Sequence, residues 1–196
     1  MSLIILDDVF PEKCFKEIQK HQLEPKENED KERWFLLDTE HSSKNLAKSL
    51  IKIASKYYSL DFYTGYESWH HRNTRPPTWH IDNDERRRAE DGILSFPECS
   101  IIYYIYVNNL IGGQLYVSHN NDLGGGSNDL YEEIRADGRL DNQVADVVTP
   151  KNNRMVIMPP GVFHTVSHFT GERAVIAVNP WYATKWKYPD IVHADS

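Results

Sequence analysis

Cysteine is scarce in this chain: Cys14 and Cys99 are the only two. Two thiols make neither a disulfide framework nor a cysteine-rich metal site, so a reducing compartment is the simpler expectation. Long apolar runs are missing as well. No stretch approaches the roughly 18 apolar residues of a membrane-spanning helix. The opening Met1-Ser2-Leu3-Ile4-Ile5-Leu6-Asp7-Asp8 lacks the basic flank of a secretory signal. The expectation is a soluble, cytoplasmic chain with no membrane association. A basic excess is absent too: 22 Lys and Arg stand against 29 Asp and Glu, for a net charge of −7. A phosphate-backbone binder normally carries a basic face, so nucleic acid is not an expected partner. The only basic run, Arg86-Arg87-Arg88, is flanked by Asp84, Glu85 and Glu90 and reads as a solvated face. No internal repeat interrupts the chain.

What is present suits one domain over residues 1–196: a supporting segment 1–60, a β-rich core 61–182 and a tail 183–196. Leu3 to Leu6 reads as a short strand. Pro11 suits a first helical position, and the helix it opens should end near Leu23. Residues 24–33 are almost wholly charged and read as an exposed loop, after which Trp34-Phe35-Leu36-Leu37 returns to the core. Ser42 or Ser43 can cap a second helix, in which Leu46, Leu50, Ile53, Ala54 and Tyr57 recur at three- and four-residue steps. From Phe62 onward β-branched and aromatic runs alternate with Gly, Pro, Asn and Asp clusters. The expected strands are 62–70, 78–82, 100–107, 114–118, 144–148, 154–158, 164–168 and 173–179. Strands in series without long helices between them favour an antiparallel sandwich or barrel. The Gly124–Gly126 loop is read equally well as a lid or as a surface excursion.

The chemistry concentrates in Thr78-Trp79-His80-Ile81-Asp82-Asn83 and in Pro159-Pro160-Gly161-Val162-Phe163-His164. On a strand, His80 and Asp82 point to one side. With His164 they make two imidazoles and one carboxylate, the donor set of non-haem Fe(II) oxygenases. Arg173 lies inside an apolar run, where a guanidinium calls for an anionic partner. If Phe169-Thr170-Gly171-Glu172 is a hairpin turn and His168 pairs with Arg173, then His164 and Arg173 share a face about 13 Å apart. A dicarboxylate would then chelate a metal at one end and meet the planar fork of Arg173 at the other. His168 shares that face as a competing ligand. Period two puts Tyr104 and Tyr106 on the same side of their strand and Tyr103 on the other. His21, His41, His119 and His193 sit in polar contexts and carry no assignment.

The ordered set His80-Ile81-Asp82, Tyr106-Val107-Asn108, Gly112-Gly113-Gln114-Leu115, then His164 and Arg173 resembles the 2-oxoglutarate, Fe(II)-dependent dioxygenase superfamily. Within it, the order is most similar to the prolyl hydroxylase-like group, over roughly residues 60–182. The resemblance implies a mainly β fold: a double-stranded β-helix (jelly-roll) core with N-terminal helices packed on one sheet. It implies iron held by His80, Asp82 and His164. It further implies 2-oxoglutarate bound by Arg173, with Tyr106 and Tyr104 beside it and Leu115 walling the pocket. Fe(II), 2-oxoglutarate and O2 would be required, with ascorbate supportive. The implied reaction is hydroxylation of a C–H of a peptidyl-proline or amino-acid-like substrate, releasing succinate and CO2. The carboxylate of Asp82 favours hydroxylation over halogenation. The chain departs from the group in three places. His70 and His71 stand where a Tyr is common, Trp181 comes late after Arg173, and the segment between Asp82 and Tyr106 is long. The first and the last leave open the choice between a peptide, a free amino acid or another small molecule. The alternative class is a cupin-like metal- or small-ligand-binding module without oxygenase activity, which more typically carries His-x-His.

Overall fold

A computed structural model describes residues 2–23, 33–36, 44–72, 79–119 and 145–182. Residues 24–32 of the expected exposed loop, the Ser42/Ser43 cap, the Gly124–Gly126 loop and the tail lie outside the described residues, and Arg33, expected in that loop, instead opens a strand. The elements run β1 (Ile4–Leu6), α1 (Glu12–Leu23), β2 (Arg33–Leu36), α2 (Lys44–Ala54), β3 (Gly65–Arg72), α3 (Glu85–Asp91), β4 (Ser100–Gly112), β5 (Leu115–Ser118), β6 (Ala145–Val148), β7 (Met155–Met158), β8 (His164–Val166) and β9 (Phe169–Trp181). They form two sheets, a six-stranded one ordered β1-β7-β4-β9-β3-β2 and a three-stranded one ordered β6-β5-β8. Every strand pair is antiparallel. The architecture is mostly β, with few helices, and is jelly-roll-like.

The six-stranded sheet is covered on both faces, which explains why its central strands are near-continuous apolar runs and not simple alternations. Ile101, Tyr103, Ile105, Ile176 and Val178 share one core cluster with Phe15 of α1 and Leu46, Ala47, Leu50, Ile51 and Ala54 of α2. Gln19 of α1 donates to the Ile105 carbonyl at 2.8 Å. The opposite face contributes Tyr104, Val156, Met158 and Val175 to a second cluster with Leu115, Val117, Val148 and Val166 of the smaller sheet. Leu50 is fully buried, so Leu50→Ala would cost about 2–5 kcal/mol.

Two features depart from a regular ladder. The register between β4 and β9 shifts between Tyr104 and Tyr106, and again between Asn108 and Ile111. The first shift occurs where β7 has ended. There the Asn152 side chain takes over as partner, accepting from Val107 N at 2.7 Å and donating to Val107 O at 3.1 Å. Beyond the bulge the side-chain alternation is offset by one residue. The second concerns the last strand. The segment expected to turn, residues 169–172, lies within β9, where Gly112↔Phe169 and Ile111↔Thr170 are paired. The assumed pairing of His168 with Arg173 is therefore corrected: β8 pairs with β5, and Arg173 pairs with Val107 of β4.

The Arg86–Arg88 run belongs to a helix, α3. Asp84 caps its start by accepting from Arg87 N at 2.9 Å, and Gly92 ends it at φ 68°. Nearby, Ile81, Leu94 and Phe163 form a small separate core, with Trp79 and Phe96 against it. The expected strand 78–82 reduces to one bridge at His80, and Thr78 lies outside the described residues.

Candidate functional site

His80 and His164 face each other as a directly bridged pair. His80 N donates to His164 O at 3.1 Å, and His164 N donates to His80 O at 2.9 Å. Their ring centroids are 4.3 Å apart. Asp82 lies two residues beyond His80, with its carboxylate oxygens 4.0 Å from His80 Nε2 and 3.9 Å from His164 Nε2. The side chains between them, Ile81 and Phe163, point the other way into the small separate core. That core fixes the two backbones carrying the ligands.

The donor atoms of His80, Asp82 and His164 all lie within 4.8 Å of one another and could hold a metal ion. Around an octahedral ion with bonds of about 2.1 Å, neighbouring donors sit about 3 Å apart. His164 is oriented for ligation, since its Nδ1 lies 3.1 Å from the Val162 carbonyl. Donation there leaves the Nε2 lone pair free for a metal. Burial alone would raise the Asp82 carboxyl. The imidazoles of His164 and His80, aided by Ser100 and Asn179, outweigh it and hold the group below the ordinary carboxylate range.

A cavity among the described residues is lined by this triad and by Arg173. His164 belongs to the three-stranded sheet and Arg173 to the six-stranded one, so the two face each other across the interior. Arg173 is 7 % exposed. Burial pushes its pKa down, and Tyr104 offsets part of that shift. Its guanidinium carbon lies 5.9 Å from the Tyr104 ring centre and 5.4 Å from that of Phe169. Tyr104 is fully buried, and its hydroxyl has no hydrogen-bond partner among the described residues. Burial raises the hydroxyl pKa, which keeps it a donor. A buried cation beside an unmet hydroxyl fits the distal carboxylate of a keto-diacid, and a His-Asp-His set with open positions fits Fe(II).

Tyr106 is a correction. The bulge turns it to the opposite face, paired with Ala174, and its hydroxyl donates to Glu172 at 3.3 Å. Of the two tyrosines expected on one face, only Tyr104 lies beside Arg173. Leu115 is fully buried next to Val166, in the same cluster as Tyr104 and Val175. His168 is exposed and outside the donor group. Sequence reasoning missed Trp69 as a cavity-lining residue and left His71 undecided. Both line the cavity from β3, opposite Ala177 and Val175 of β9. Their two-residue spacing was the available signal. His70 pairs with Ile176 on the other face. Trp181 is buried, and its indole donates to Glu67 at 2.8 Å.

No protein-family model and no curated protein matches this chain. Solved structures do match it, and their likeness shows the fold. A prolyl-4-hydroxylase from Pseudomonas putida is 14 % identical at a TM-score of 0.59, over 92 % of this chain and 86 % of that one. HygX from Streptomyces hygroscopicus, solved with nickel and 2-oxoglutarate bound, is 14 % identical at 0.56, over 94 % and 85 %. A prolyl hydroxylase from Trichoplax adhaerens, in complex with a hypoxia inducible factor oxygen degradation domain peptide fragment, is 14 % identical at 0.53, over 91 % and 83 %. Among the described residues no helix is long and apolar enough to cross a membrane.

Proposed function

We propose that this chain is an Fe(II)- and 2-oxoglutarate-dependent dioxygenase that hydroxylates a C–H of a peptidyl-proline or amino-acid-like substrate. The observation that carries this reading is one cavity lined both by the His80, Asp82 and His164 donors and by the buried Arg173. His80, Asp82 and His164 hold the metal. The Val162 carbonyl fixes the His164 tautomer. Arg173 would hold the distal carboxylate of 2-oxoglutarate, with the Tyr104 hydroxyl as a further donor beside it. Leu115, Val166 and Val175 keep water from that end, which strengthens each of these contacts. Iron and 2-oxoglutarate bound here supply activation of O2, with succinate and CO2 as co-products. Trp69 and His71 form the wall on which the primary substrate rests.

The neighbours named for prolyl hydroxylation support a peptide or an amino-acid-like substrate. Arg173 and Tyr104 weigh against a cupin-like module, which needs no anchor for a keto-diacid. The test is succinate formation by purified protein supplied with Fe(II), 2-oxoglutarate, ascorbate and O2. Slow uncoupled turnover is expected without any primary substrate, and Asp82→Ala should abolish it. Metal binding with no turnover, and with no effect of 2-oxoglutarate on the metal's spectrum, would instead select the binding module. Screening proline-containing peptides against free amino acids then identifies the substrate by accelerated turnover.

A further inference from the structure

Asn179 is a buried polar side chain at the metal end of the cavity, with no part in holding either the metal or 2-oxoglutarate directly. It is 1 % exposed and lines the cavity, and neither its amide nitrogen nor its amide oxygen has a hydrogen-bond partner among the described residues. Burying an amide with both ends unmet costs free energy without return. An apolar side chain of the same size would serve stability better, as Val175 and Ala177 do on the same strand face. Something other than the metal-free fold therefore accounts for an amide here.

Its place in the ladder says what that is. Asn179 pairs with Glu67 on one side. On the other, one step beyond the Ile101↔Val178 pair, it comes level with Ser100. The Asn179 and Ser100 side chains lie against the Asp82 carboxyl, with the Asn179 amide short of full hydrogen-bond geometry. The triad donors all lie within 4.8 Å of one another, close enough to be drawn onto one ion. One carboxylate oxygen then ligates, and the other needs a donor.

We propose that Asn179 is a positioning residue for Asp82: its Nδ2–H donates to the carboxylate oxygen that does not ligate the metal. The contact between Asn179 and Asp82, short of full hydrogen-bond geometry, tightens into a hydrogen bond when the carboxylate ligates an ion. This inference rests on reading His80, Asp82 and His164 as the iron site. It predicts opposite effects on affinity and on metal-free stability, a pattern that a merely structural amide does not produce.

The experiment titrates Mn(II) into chelator-stripped full-length protein by calorimetry and melts the same samples in excess chelator. Asn179→Leu and Asn179→Ala should each bind Mn(II) about 10- to 100-fold more weakly than wild type. Asn179→Leu should melt no lower than wild type in chelator; Asn179→Ala serves if the leucine variant does not fold. Val178→Ala, on the opposite face of the same strand, should melt lower yet bind Mn(II) unchanged. Wild-type affinity in both Asn179 variants would overturn the inference, as would an equal loss in Val178→Ala. If wild type itself takes up no Mn(II), the iron-site reading fails, and this inference falls with it.

Discussion

Replacing Arg173 by methionine removes the guanidinium and keeps most of the side chain's length and apolar stem. The arginine is 7 % exposed, between the rings of Tyr104 and Phe169. Little water is therefore at hand to replace it as a partner. Each charge-assisted hydrogen bond to a carboxylate contributes roughly 1.5–3 kcal/mol. Stranding one charge of a buried pair costs about 3–5 kcal/mol. The two figures agree, and at about 1.4 kcal/mol per decade the Kd for 2-oxoglutarate should rise by roughly two to three and a half orders of magnitude. Arg173 stands on the opposite sheet from His164, so Mn(II) affinity should stay within about two-fold. The assay is calorimetric titration of 2-oxoglutarate into Mn(II)-loaded protein, with Mn(II) titrated separately into stripped protein. Arg173→Lys should recover only part of the loss, because an ammonium cannot present a planar fork. A rise in Kd of less than about ten-fold, or a parallel loss of metal affinity, would refute the placement of Arg173 as the co-substrate anchor.

Tyr104→Phe should weaken 2-oxoglutarate binding by about 1 kcal/mol, roughly five-fold, whereas Tyr106→Phe should leave it unchanged; equal effects in the same titration would contradict the bulge. Mn(II) at about 100 times its Kd should stabilise the protein by about 2.7 kcal/mol and raise Tm by roughly 5–10 °C, an increment that His164→Ala should abolish in a thermal melt. Hydrogen bonds from Arg154, opposed by slight burial and aided by Lys151, lower the Asp7 carboxyl from 3.8 to about 2. Its stabilising contribution is thus present above about pH 4 and lost as pH falls toward 2. Being partly exposed, Asp7 contributes no more than about 1 kcal/mol. Urea unfolding of wild type and Asp7→Asn should differ by that much at pH 6 and converge near pH 2. Gly171→Ala would place its Cβ 2.2 Å from the Asn109 carbonyl oxygen at a φ of 93°. A loss of at least about 2 kcal/mol is expected in denaturant unfolding.

The triad was legible because two of its members are adjacent in a short motif and the third follows a Pro-Pro-Gly turn. The spatial meeting of His80 and His164 was not. It depends on a lone bridge between segments 84 residues apart, and no local pattern encodes such a pairing. Strand identity was readable from β-branched runs, but strand length was not. Asn108, Asn109 and Gly112 look like turn residues, yet they sit inside β4, where Asn109 takes φ 49° and Gly112 takes φ 83°. The same blindness placed a turn at residues 169–172 and a hairpin partner opposite Arg173. A period of two is kept at Trp69 and His71, where the ladder is regular and the signal went unread, and it fails for Tyr106, where Asn152 substitutes for a strand. The caps of α3, Asp84 and Gly92, were present in the sequence. They were overlooked because the residues between them are almost all charged.

The lone bridge between His80 and His164 has a consequence of its own. Among the described residues, two backbone hydrogen bonds, at 3.1 and 2.9 Å, are the ladder joining the two ligand-bearing segments. So short a seam opens easily on its own, and an ion clasped by both imidazoles closes it like a rivet. Amide protons at 80 and 164 should therefore exchange with deuterium quickly in stripped protein and slowly once the ion is in place, while those in the middle of β9 hold the same rate throughout.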